Sequence, residues 1–249
     1  MKPCILTIGL ICLVGPALLA SDSKSDKATG DARAQALMEE AARTRYVWSP
    51  EIASVSGKFT WALDGQTGEA TFRRVLHQKG KTSFVVEGNV PVPQEVKDHI
   101  ASLISHRTSA PPGAPSKAAP PSVIVVEDDD RGPLIMTVGD PMQSTSRVKD
   151  GKMVQVNRTM GGQRFTIDVT EFEKSPDGRY FSSAFTVTYW DAATGKRVEK
   201  QTYSTQGFDV ITGQMFPKAE KVSTEKDGKT STLELKYSGV KFELPDASR

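Results

Sequence analysis

Hydrophobic positions along the chain first recur at a helical spacing and then switch to strict alternation. Between Asp31 and about Arg45, Ala34, Leu37, Met38 and Ala41 form one apolar stripe, with Glu39 and Glu40 on the wet side. Asp31 is the expected N-cap, and Ser49-Pro50 stops the segment after Tyr46-Val47-Trp48. From Ala53 onward, Ala53, Val55, Phe59, Trp61 and Leu63 fall on one face and Ser54, Ser56, Lys58 and Thr60 on the other. That pattern predicts a strand with one buried face. Asp64-Gly65-Gln66-Thr67-Gly68 reads as a hairpin turn, followed by strands from Ala70 to about Leu76 and from Thr82 to Glu87.

A second helix interrupts the strands over residues 93–107. Pro93 suits its first position, and Val96, Ile100, Leu103 and Ile104 make a narrow apolar stripe. Residues 108–122 follow as a Pro/Ala-rich loop. Beyond it come apolar runs at Val123–Val126 and Leu134–Val138, then alternating sets: Val154, Val156, Arg158, Met160; Phe165, Ile167, Val169; Phe181, Phe185, Val187, Tyr189; and Leu233, Leu235, Tyr237. Gly161-Gly162, Asp177-Gly178, Thr194-Gly195 and Asp227-Gly228 separate them. About nine or ten strands joined by short turns predict an antiparallel meander.

So many strands with one apolar face must cover that face. The expected fold is mainly β (α+β): a strongly curved antiparallel sheet, a half-barrel, wrapped around the N-terminal helix and the second, inserted helix. A closed barrel of lipocalin type and a two-sheet sandwich are the rivals. Phe59, Trp61, Phe165, Phe185, Val187 and Tyr189 should lie on the inner face. Two short helices leave such a face either fully packed as a core or partly open as a concave site for a lipid or other apolar small molecule. In the second case Phe59, Trp61, His106, Phe165, Phe185 and Tyr189 line the site, and the 93–107 helix is its lid.

Composition narrows the setting. Residues 1–20 carry Lys2, an apolar run from Ile5 to Leu19 and Ala20 before a polar stretch, the pattern of an export signal. Both cysteines, Cys4 and Cys12, fall inside it, so the exported chain has no thiol for disulfides, thiolate metal sites or nucleophilic catalysis. The reading is therefore signal peptide 1–20, polar lead-in 21–30, one curved-sheet domain 31–243 and a tail 244–249, exported to the periplasm or secreted without a stable membrane anchor. With 32 basic and 30 acidic side chains the surface is balanced, which argues against nucleic-acid binding.

Chemistry has little to stand on. His99 and His106 are seven apart, about 10 Å along a helix, too far for joint chelation. His106 and Arg107 end that helix, where a cation complements the dipole. Glu127-Asp128-Asp129-Asp130 has no EF-hand spacing and is followed by Arg131, as in a solvated turn. Asn157-Arg158-Thr159 is a glycosylation sequon inside an expected strand. No nucleophile elbow, P-loop or dinucleotide motif occurs, and no cofactor or metal is implied. The expected protein is non-catalytic. The alternatives are an envelope interaction scaffold with a packed core, or an enzyme using His106, Arg107 or Arg158.

Two stretches carry a family resemblance. One is Ala36-Leu37-Met38 through Arg45-Tyr46-Val47-Trp48. The other comprises Gly139-Asp140-Pro141-Met142-Gln143-Ser144, Arg147-Val148-Lys149-Asp150-Gly151, Arg158-Thr159-Met160-Gly161 and Phe165-Thr166-Ile167-Asp168. In these the chain resembles the domain of unknown function 3386 family over roughly residues 33–240. His106-Arg107-Thr108 is similar to that family's His-Arg-Arg element, with Thr108 in place of the second arginine, and the Pro/Ala loop departs from its pattern. The resemblance implies no activity. Residues 233–242 are also similar to the last strands of periplasmic lipoprotein-carrier half-barrels, which agrees with the expected topology but assigns no ligand.

Overall fold

A computed structural model describes residues 30–76, 83–109 and 121–245. The expected signal, most of the lead-in and tail, His77 and most of the Pro/Ala loop lie outside these residues.

The helix α1 spans Ala32–Thr44, and the Asp31 carboxylate accepts the Arg33 N–H at 2.8 Å as its cap. Next come β1 (Ser54–Leu63), β2 (Gln66–Val75), β3 (Phe84–Gly88) and α2 (Gln94–Arg107). The chain continues through β4 (Val123–Glu127), β5 (Leu134–Thr137), β6 (Thr145–Lys149), β7 (Lys152–Met160) and β8 (Gln163–Lys174). It ends with β9 (Tyr180–Asp191), β10 (Arg197–Ile211), β11 (Gln214–Lys226) and β12 (Lys229–Glu243). Among the described residues all twelve strands form one sheet in the order β3-β2-β1-β12-β11-β10-β9-β8-β7-β6-β5-β4. Every pairing between these strands is antiparallel, and an isolated parallel bridge joins Arg45 to Tyr180. The sheet is an open half-barrel with β3 and β4 as its edges, and α2 lies on the connection between them.

Twelve strands exceed the expected count partly because the β10–β11 hairpin has no usual turn signature. Its corner is Thr212-Gly213, with φ of 48° and 79°. A β-branched residue at positive φ is unfavourable, so Thr212 does not announce a turn. Pro93 caps α2 rather than opening it, a shift of one position.

Two apolar clusters hold the helices to the sheet. α2 buries Val96, Ile100, Leu103 and Ile104 against Phe59, Trp61, Phe72, Phe216 and Leu235. α1 buries Ala34 and Ala41 against Val123, Ile135 and Val148, with Leu37 and Met38 packed alongside. The segment between α1 and β1 ties the two regions together. The Tyr46 N–H donates to the Tyr180 carbonyl at 2.7 Å, the Trp48 N–H to the Arg107 carbonyl at 2.8 Å, and the Trp48 indole to the Met215 carbonyl at 3.0 Å.

One turn depends on the lack of a side chain. Gly132 has φ of +97°, and a Cβ there would stand 2.5 Å from the Val148 carbonyl oxygen. Gly132→Ala is expected to lower stability by about 2 kcal/mol or more, read as a drop in thermal midpoint. An unchanged midpoint would show that the turn relaxes freely.

Candidate functional site

In an antiparallel pair, directly opposed residues point to the same side. Register therefore traces one face across the whole sheet. Trp61 opposes Leu235, which opposes Glu220. Leu233 opposes Val222, Val222 opposes Tyr203, and Tyr203 opposes Phe185. Phe185 opposes Val169, and on the same strands Val187 opposes Ile167 and Tyr189 opposes Phe165. Ile167 opposes Val156, Val156 opposes Ser146 and Ser146 opposes Ile135. Because Leu235 packs under α2 and Ile135 under α1, both helices cover the same, concave face.

They cover its two flanks and leave the middle. Val156, Phe165, Ile167, Val169, Phe185 and Tyr189 are half-buried and belong to neither cluster. Rings meet along the strip: Phe165 lies tilted against Tyr189 at 6.0 Å between centroids, while Phe185 stacks on Tyr203 at 4.4 Å and Tyr203 on His99 of α2 at 6.0 Å. Burial pushes the Tyr189 and Tyr203 phenols up, so both remain neutral across the physiological range. The strip is a trough between the two helix-covered clusters, with Val187 buried at 6% exposure in its middle. Two surface clefts, of about 370 and 470 Å³, lie elsewhere, one between β3 and α2 and one around Ser49, Ile52 and Phe242.

The expected lining thus divides. Phe165, Phe185 and Tyr189 sit together on the trough floor. Phe59 and Trp61 do not join them: at 1% and 3% exposure they are core residues under α2. The helix they were expected to share as a lid instead seals them in. His106 is exposed at the end of α2, with its Nδ1 3.3 Å from the Ser102 hydroxyl. Arg107 is buried, its guanidinium 4.1 Å over the Phe181 ring and donating to the Leu103 carbonyl. Burial lowers its pKa to about 10, which leaves it charged at neutral pH. Arg158 opposes Phe165 and so stands on the trough face with its side chain exposed.

Two elements escaped the sequence reading. Ile167, Val169 and Val156 complete the floor; their alternation with Phe165 and Arg158 was visible, but not their exposure. The other is Glu220, buried beneath α2, which accepts from the Tyr237 hydroxyl at 2.9 Å and sits 3.0 Å from His99 Nε2. Burial alone raises this carboxyl, but His99, Arg107 and Tyr237 outweigh it and hold the group below the ordinary glutamate range. The acidic turn is answered by arginines: Arg147 reaches Glu127 at 2.7 Å and Asp129 at 2.9 Å, Arg131 reaches Asp129 at 2.6 Å, and Arg33 reaches Asp128 at 2.6 Å. Among the described residues no group of three His, Cys, Asp or Glu side chains could hold a metal ion. No helix among them is long and apolar enough to cross a membrane.

The profile of a family described as a protein of unknown function (DUF3386) matches residues 29–242. No curated protein sequence matches. Among solved structures, a domain from Vibrio parahaemolyticus described as an outer membrane lipoprotein-sorting protein is similar at 8% identity, over 84% of this chain and 91% of that one, with a TM-score of 0.39. A LolA superfamily protein from Nitrosomonas europaea is similar at 13% identity, over 86% and 95%, with a TM-score of 0.33. MucB in its complex with MucA from Pseudomonas aeruginosa is similar at 12% identity, over 83% and 93%, with a TM-score of 0.20.

Proposed function

The chain belongs to the DUF3386 family, and from that premise we propose that it is an exported envelope protein that holds a lipid or similar apolar ligand, without catalysis, in the open middle of its concave sheet. One observation carries this reading: six large apolar side chains on β7, β8 and β9 remain half-buried between two flanks that helices have packed. Contiguous apolar surface of this kind, set in a concavity, is what an apolar ligand covers. The export pattern of residues 1–20 supports a setting outside the cytoplasm.

Binding of a fluorescent fatty-acyl probe to the purified protein tests the reading. Ile167→Asn should weaken binding by about tenfold, the loss of one well-covered aliphatic contact, while the thermal midpoint changes little. Unchanged affinity in that variant, or no binding by the wild type, would overturn it.

A second reading, an envelope interaction scaffold, is favoured by the partial exposure of the strip, so that a partner's apolar segment could lie on it. Cross-linking through a photoreactive residue at Phe185 separates the two: a protein adduct supports the scaffold, a lipid adduct the carrier.

A further inference from the structure

The trough has a basic rim as well as an apolar floor. Arg158 rises from β7 on the same face as Phe165, with its side chain exposed. Exposed His106 lies at the end of α2, and exposed Arg45, which follows α1, donates from its guanidinium to the His106 carbonyl. Surrounding protein lowers the His106 pKa first, and the charges of Arg45, Arg107 and Arg158 lower it further.

Little negative charge balances them. Among the described residues neither Arg45 nor Arg158 forms an ion pair. The acid that feels Arg158 is Asp140, whose oxygens accept the N–H groups of Met142 and Ser144 in its own turn, each at 3.1 Å. Glu199 opposes Tyr189 on the same face, but it is bonded to Gln201 and Lys226. Nor does the negative end of α2 repel an anion here. Its last carbonyls are occupied by donors: Leu103 by Arg107, Ile104 by Thr108, His106 by Arg45 and Arg107 by Trp48. Ser183 lies between Phe181 and Phe185 on the inward side of β9, with a buried hydroxyl that has no hydrogen-bond partner.

We propose that the trough's ligand is a lipid with an anionic headgroup, a carboxylate or phosphate, held by Arg158 from β7, with its acyl chain on Val156, Ile167, Val169 and Phe185. This rests on the carrier reading above and adds the headgroup. The guanidinium fork of Arg158 matches the oxygens of either headgroup, and an apolar floor beneath it supplies the affinity a free anion lacks.

Palmitate and uncharged monopalmitoylglycerol, each competing with the fluorescent probe, test it. Wild-type protein should bind palmitate about tenfold more tightly, and Arg158→Gln should remove most of that preference while leaving the uncharged ligand's affinity and the thermal midpoint unchanged. Inorganic phosphate should not displace the probe. Equal affinity for both lipids would overturn the headgroup and leave the carrier reading standing. Binding of neither lipid would overturn the carrier reading itself. Displacement by phosphate alone would make the basic rim a site for a free anion and overturn the proposal.

Discussion

Glu220→Ala is expected to lower the unfolding free energy by about 3–5 kcal/mol, the cost of breaking a buried charged network by removing one partner. Glu220 is 9% exposed and lies between α2 and the sheet. Its carboxylate contacts His99 Nε2 and accepts from the Tyr237 hydroxyl, and the Arg107 charge also acts on it. Alanine would leave a buried hydroxyl without its acceptor and a buried guanidinium without the acidic charge that acts on it most. Chemical denaturation measures the change, and Glu220→Gln, which keeps the shape and one acceptor, should cost markedly less. A loss below about 1 kcal/mol for alanine would show that the network is nearly neutral, as some buried ion pairs are.

The same group sets an acid limit. Its pKa in the folded protein is depressed, so the unfolded chain takes up the proton first as pH falls. The stability it contributes is complete above the unfolded value, roughly 4.3, and is lost as pH drops through the lower folded value. Acid unfolding of the wild type should therefore steepen below about pH 4, and Glu220→Gln should flatten that limb.

Much of the architecture was legible because it is local. Asp31 before the stripe of Ala34, Leu37, Met38 and Ala41 marks α1, and all four residues do pack on the sheet. Asp64-Gly65, Gly161-Gly162 and Asp227-Gly228 supply the positive φ that tight hairpins require. Thr212-Gly213 supplies the same geometry with a residue that disfavours it, and that turn stayed hidden.

The site was only half legible, for a physical reason. Alternation says which side of a strand is apolar but not what lies over it. In the sequence Phe59 and Phe165 are equivalent, each an inward aromatic in an alternating run. Their difference comes from the path of α2. It lies on the connection from the β3 edge to the β4 edge and settles over β1, β2, β11 and β12, sealing Phe59 and leaving Phe165 half-open. Glu220 was hidden likewise, since His99, which approaches it, is 121 residues away in the chain.

Phe216→Ala should be the most damaging single truncation in the larger cluster, at about 3–5 kcal/mol. Phe216 is 0% exposed and is the ring on which others converge: Trp48 at 6.0 Å, Phe72 at 5.8 Å, Tyr237 at 5.1 Å and Phe242 at 6.3 Å. The neighbours belong to β2, β12 and the segment after α1, so the void cannot collapse by moving one element. Trp48 reports it directly, since its stacked partner disappears, and its fluorescence should change in the folded variant. Phe185→Ala, one strand pairing away from the helix-covered flank and half-open, should cost about 1 kcal/mol or less while abolishing most acyl-probe binding. The pair of measurements separates a packed inner face from a partly vacant one. Comparable stability losses at Phe216 and Phe185 would mean that the middle strands are core like the flanks, and the trough would lose its claim to a ligand.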